Sequence, residues 1–181
     1  MPAAFPLPQQ VIAFWRAAGP SKWFGKDDAF DRDFTARFLH AHEAAARGEL
    51  DAWSATAEGA LALCILLDQF PRNAFRGTPR VYATDAKARD VALRAIEGGL
   101  DREFEAPLRQ FFRLPLMHSE RLEDLERCVE LSAGDPQSQR WALHHRDIIA
   151  RFGRFPHRNA VLGRANTPEE EAFLAEGGFA G

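Results

Sequence analysis

The chain has 181 residues, of which 46% are hydrophobic and 27% charged, with a net charge of −3. A chain of this length and composition is expected to form one globular domain burying roughly 70% of the surface exposed when unfolded, which excludes disordered and fibrous classes. The small negative charge argues against nucleic acid, whose binders carry a clustered basic excess, and no apolar run approaches the ~18 residues that would suggest a membrane.

At the start, MPAAFPLPQQ lacks the basic region and long apolar core of a secretory leader, so a cytoplasmic chain is expected. A first helix is predicted over about 8–18, carrying Val11, Ile12, Phe14 and Trp15 and stopping at Gly19-Pro20. A second begins with Asp27 or Asp28 as N-cap, sets Phe30, Phe34, Phe38 and Ala41 on one stripe, and ends at Gly48. Ser54 is the expected cap of a third, whose LALCILL run is apolar all round and therefore central, with Pro71 as its terminator. Its Cys64, like Cys128 further on, lies among apolar residues outside any CxxC or Cys/His array, which predicts buried, reduced thiols.

Thr84 opens a further helix ending at Gly98-Gly99, and a short segment around Leu108, Phe111 and Phe112 leads to Pro115. Ser119 is the expected cap of the next, with Leu122, Leu125 and Val129 facing inward and Gly134 closing it. Asp135-Pro136 starts a longer helix reaching about Phe155, and Thr167-Pro168-Glu169-Glu170 is a capping box with proline at the first helical position. With no sustained period-two alternation, the fold class is all-α: about eight helices in a single domain over 1–181.

An internal echo relates LLDQFPRNAFRGTP (66–79) to RFGRFPHRNAVLGRANTP (151–168): helix end, Phe-Pro, Arg-Asn-Ala, Gly, Thr-Pro. Proline stopping a helix and Asn or Gly making the turn can alone generate such strings; two related halves, each presenting Arg and Asn beyond a helix end, would do so too.

Several chemistries are excluded. GPSKWFGK (19–26) has five residues between its glycines, Asp27 where a phosphate loop needs Ser or Thr, and a helix before it; there is no GxSxG; and His40 and His42 lie about 200° apart on a helix, so they cannot share a metal there. No metal ligand set and no cofactor is therefore expected.

What remains is a polar set at helix ends, densest in HRDIIARFGRFPHRN (145–159). On the helix before Pro156, His144, Asp147, Arg151 and Arg154 share one stripe, while His145, Ile148, Ile149 and Phe152 share another. The charged stripe reads either as a solvated face with an Asp147–Arg151 pair or as an anion clamp; His145 reads either as a core histidine bonded to a backbone carbonyl or as a general base. His118, just before the expected Ser119 cap, would be favoured as a neutral proton acceptor by the helix dipole.

Taken together, FW near Phe14, WFGKDDAFDRDF (23–34), LLDQFPRNAFRGTPRVYATDAKA (66–88), LPLMHSERLEDLE (114–126) and HRDIIARFGRFPHRNAVLGRANTPEEEAFL (145–174) resemble the bacterial family catalogued as domain of unknown function 924. The resemblance spans nearly the whole chain and implies an antiparallel helical-repeat array like the tetratricopeptide superfamily, although no 34-residue signature is legible. It implies no established activity. It does place Asp68–Asn73, Pro115–Glu120 and His145–Asn159 within the family's pattern.

The leading expectation is a cleft for a small anionic ligand. Arg72, Asn73, Glu120, Arg151, Arg154, His157, Arg158 and Asn159 would line it, with His118 or His145 moving a proton. The alternatives are a helical-repeat scaffold gripping a peptide partner and a purely structural role in tying helix ends.

Overall fold

The structure, a computed structural model, describes residues 5–179, so the first four residues of the MPAAFPLPQQ segment lie outside the described residues. Among those described there is no strand, and most of the chain is helical: ten α-helices, counting as one the two that a π turn joins end to end. None is long and apolar enough to cross a membrane. By contact the residues fall into two compact units, the first taking the chain to Arg76 together with Arg80–Pro115, the second Gly77–Pro79 with the chain from Leu116 onward.

In the first unit, α1 (Pro8–Ala18) and α3 (Asp28–Arg47) have the expected bounds. The Asp27 carboxylate accepts the amides of Ala29 and Phe30, and Gly48 closes α3 at φ +89°. Gly19-Pro20 ends α1 but also opens a short helix, α2 (Pro20–Trp23), because proline is well suited to a first helical position. Trp15, Phe34 and Phe111 are fully buried, and the Trp23 indole donates to the Trp15 carbonyl at 2.7 Å.

The central helix starts differently from expectation. Ser54 lies in a 3-10 turn, Asp51–Ala55, where its hydroxyl donates to the Asp51 carbonyl; Thr56 is the cap of α4 (Ala57–Cys64), accepting the Gly59 amide. Gly59 is required there, since a Cβ would collide with the Trp53 carbonyl. Every residue from Gly59 to Cys64 is buried, and α4 packs on α1 and α6 (Asp85–Glu97).

Pro71 does not end this helix. After Cys64 the chain makes a π turn, Ile65–Gln69, and continues as α5 (Phe70–Ala74) with Pro71 in its first turn. The wider turn relaxes the backbone register where proline has no N–H to give. Four successive carbonyls around it then accept side chains: Leu66 from His42 (2.8 Å), Leu67 from Thr84 (2.6 Å), Asp68 from Arg72 (2.8 Å) and Gln69 from Asn73 (2.9 Å). Thr84 thus spends its hydroxyl on the π turn and does not cap α6.

The segment expected to be short around Leu108 is a full helix, α7 (Ala106–Met117), with Pro115 inside its last turn. Four apolar residues, Leu108, Phe111, Phe112 and Leu116, are almost completely buried, and that packing outweighs one missing amide.

In the second unit α8 (Leu122–Leu131) begins two residues later than expected, with Arg121 and not Ser119 at the N-cap position. Ser119 instead accepts the Arg121 amide and donates to Asp124 at 2.6 Å. Leu125 and Cys128 are buried but Leu122 is exposed, so the inward face is rotated from the predicted one. Cys128 and, in the first unit, Cys64 are both buried free thiols.

α9 (Pro136–Phe152) starts at Asp135-Pro136 as expected and stops at Gly153, which is left-handed at φ +69°. A 3-10 turn, Pro156–Arg158, and α10 (Asn159–Leu162) follow. α11 (Pro168–Ala175) carries the complete capping box of Thr167 and Glu170. The core here is Leu125, Ile148, Ile149 and Phe155, with Phe152, Phe173 and Phe179 packed on it.

Candidate functional site

The ten candidate residues divide by unit: Arg72 and Asn73 in the first, the other eight in the second. Arg72 bridges two carboxylates, with its terminal nitrogens 2.9 and 3.0 Å from Asp85 and one of them 3.1 Å from Asp68. Burial opposes the guanidinium charge, but Asp68 and Asp85 more than compensate and hold it. The Asn73 amide bonds the Gln69 carbonyl, and its oxygen accepts from Arg76, which also reaches Asp31 at 3.2 Å.

In the second unit a parallel arrangement is larger and better paired. Arg164 places its two terminal nitrogens 2.8 and 2.9 Å from the Glu120 carboxylate and its Nε 2.8 Å from the Asn159 oxygen. Glu120 also accepts the Phe155 amide at 2.8 Å. Burial would raise this carboxyl, but the bonds from Arg164 and Phe155, with the Arg158 charge, hold it below its ordinary range.

Asn159 is fully buried and donates to Asn166 at 2.7 Å and toward Glu170 at 3.3 Å. Glu170, itself 2% exposed, takes two bonds from Arg154 at 2.6 and 2.7 Å and the Thr167 amide at 2.8 Å. The Arg154 bonds, working against burial, bring its pKa down to about 2.

Arg151 is exposed, lies over the Phe152 ring and pairs with Glu169 at 2.9 Å. Asp147, the expected partner of Arg151, bonds Arg146 instead. Arg151, Phe152, Arg154, Thr167, Glu169 and Glu170 line a shallow open depression of about 450 Å³, in which both arginines already face carboxylates.

The histidines form a separate cluster. His145 bonds the Trp141 carbonyl through Nδ1 at 2.8 Å, leaving its lone pair on Nε2. The Nδ1 atom of His157 is buried with no hydrogen-bond partner among the described residues. Phe155 lies 5.6 Å from each of these two rings, and Phe179 lies 4.7 Å from His145, 5.0 Å from His157 and 5.5 Å from His144.

Arg158 is buried, lies over Phe155 and donates to the His118 carbonyl at 2.8 Å. Burial first, with the Arg158 charge beside them, brings both His145 and His157 down to about 4. Both imidazoles are therefore neutral at pH 7. His118 follows the last residue of α7 and not the first turn of α8, so the expected dipole argument for its neutrality does not hold.

Arg164 and Phe179 were missed from sequence. The echo held a signal for Arg164, because Arg76 makes the corresponding pair of bonds, to Asn73 and a carboxylate, in the first unit. Among the described residues no group of three or more His, Cys, Asp or Glu could hold a metal ion.

Residues 11–178 match the family described as a bacterial protein of unknown function (DUF924). The chain belongs to this family. The DUF924 chain is also similar to the solved structure of a protein of unknown function from Agrobacterium tumefaciens, with 50% identity and a TM-score of 0.90 over 93% of this chain and 97% of that one. No protein of curated function matches it. At this identity the likeness extends to fold and sequence together, and it brings no activity with it.

Proposed function

We propose that this DUF924 chain binds a small anionic ligand at the histidine cluster of its second unit. The observation that carries the reading is the buried, unpartnered Nδ1 of His157. Buried polar atoms are almost always satisfied, and one that is not asks for a ligand or a water. As the Nδ1–H tautomer, a neutral His157 offers an anion a donor without burying a charge, and Arg158 beside it contributes positive potential. His145, with its Nδ1 committed to Trp141, offers Nε2 as a proton acceptor.

A second reading, in which the polar residues serve only to tie helix ends together, draws support from the pairing of Arg72, Arg154 and Arg164 with carboxylates. The two separate by thermal melting. Under the binding reading, phosphate, sulfate or citrate at ten times its Kd raises the melting temperature by about 3–6 °C, and His157→Leu abolishes the gain while Arg151→Gln keeps it. No gain from any anion, or a full gain in His157→Leu, leaves the structural reading.

A further inference from the structure

Phe179 is held against the imidazoles by the turn that precedes it. α11 ends at Ala175, Gly177 takes φ +83°, and the Gly178 amide bonds the Phe173 carbonyl at 2.9 Å. A Cβ on Gly178 would come within 2.5 Å of that carbonyl oxygen and 2.6 Å of the Phe173 ring, so the turn is as tight as glycine allows. The chain is thereby led back over Phe173, and the Phe179 ring makes T-shaped contacts with those of His144, His145 and His157 at interplanar angles of 80°, 66° and 87°.

Edge-to-face contact is the arrangement in which the positive edge of one ring meets the negative face of another, and neutral imidazoles take part in it without a desolvated charge. The seat is therefore matched to a flat aromatic ring. The rings around it carry the unpartnered Nδ1 of His157 and the Nε2 of His145, and the charge of Arg158 acts on both. Phe179 itself supplies only a hydrocarbon ring and no polar group for those nitrogens.

We propose that Phe179 is a self-supplied occupant of this seat, and that the ligand is an aromatic acid whose ring replaces Phe179 while its carboxylate meets His157 and Arg158. This rests on the anion-binding reading and adds the ring. The Gly177-Gly178 turn is the joint about which the covering segment lifts.

The test is calorimetric titration of wild type, Phe179→Ala and Phe179→Leu with phenylacetate, acetate and inorganic phosphate, with circular dichroism confirming the fold of each. Phenylacetate is expected to bind Phe179→Ala at least about tenfold more tightly than wild type and at least about tenfold more tightly than acetate binds the same variant. Phe179→Leu, which keeps apolar bulk in the seat, should show the same order of ligands with a smaller gain, and it decides the matter if the alanine variant does not fold. Equal affinity of phenylacetate for the folded variants and wild type, or of acetate and phenylacetate for the variants, overturns the ring seat. If phosphate still binds and is lost with His157→Leu, the anion reading survives that failure; if no ligand binds any variant, both fall.

Discussion

Arg164 and Glu120, 44 residues apart, form a two-pronged ion pair at 2.8 and 2.9 Å that also carries Asn159 and the Phe155 backbone. Two parallel bonds between a guanidinium and a carboxylate, both largely shielded from water, are stronger than a surface pair. Arg164→Met leaves Glu120 with the Phe155 amide but no bidentate partner. A loss of about 2–3 kcal/mol in urea unfolding is expected.

Arg151 offers the contrast, because it and Glu169 are 52% and 62% exposed. Such pairs contribute little, so Arg151→Gln should change stability by no more than about 0.5 kcal/mol. Arg154→Gln, which strips the buried Glu170 of its two strongest bonds, should cost clearly more in the same urea series.

The start of α4 is tested by two alanine substitutions. Thr56→Ala removes the cap of the Gly59 amide and should cost about 1 kcal/mol. Ser54→Ala, in an exposed 3-10 turn, should cost less than about 0.5 kcal/mol. The reverse order would return the cap to Ser54.

Acid should destabilise the chain in two stages. His145 and His157 titrate near 4 when folded, below the ordinary histidine value of 6.5, so between those values the unfolded chain binds more protons and stability falls as pH falls. Each contributes a slope of at most about 1.4 kcal/mol per pH unit. Glu170, lowered from 4.5 to about 2, adds a second loss from about pH 4.5 downward. Melting temperatures between pH 7 and 3 should show His145→Gln flattening the upper window and Glu170→Gln the lower.

The all-helical class, the bounds of α1 and α3 and the start of α9 were legible in the sequence, those of α3 and α9 because Asp27, Gly48 and Asp135-Pro136 act within one turn of the backbone they cap; α9 stops at Phe152, short of the expected Phe155, because left-handed Gly153 closes it. Pro71, Pro115 and Ser119 were misread for a common reason: tertiary packing decides them. Burial of Phe70 and Phe112 carries the helix past a proline, and Asp124 draws the Ser119 hydroxyl away from a simple cap. In the candidate site, Glu120 was visible but its partner Arg164 was not, since the two lie 44 residues apart with no periodic relation. Phe179 carries no polar signal at all; only the turn at Gly177-Gly178 brings it to the histidines.

The central claim is that His157 and His145 meet an anion, and nitrogen-edited nuclear magnetic resonance of the histidine side chains reads that contact directly. With phosphate, citrate or phenylacetate added at constant pH, the Nδ1 of His157 and the Nε2 of His145 are expected to shift along one saturating curve, while His42, bonded to Leu66 in the first unit, stays still. If neither His145 nor His157 moves with any of the three ligands, the histidine cluster is not an anion site and the account is contradicted.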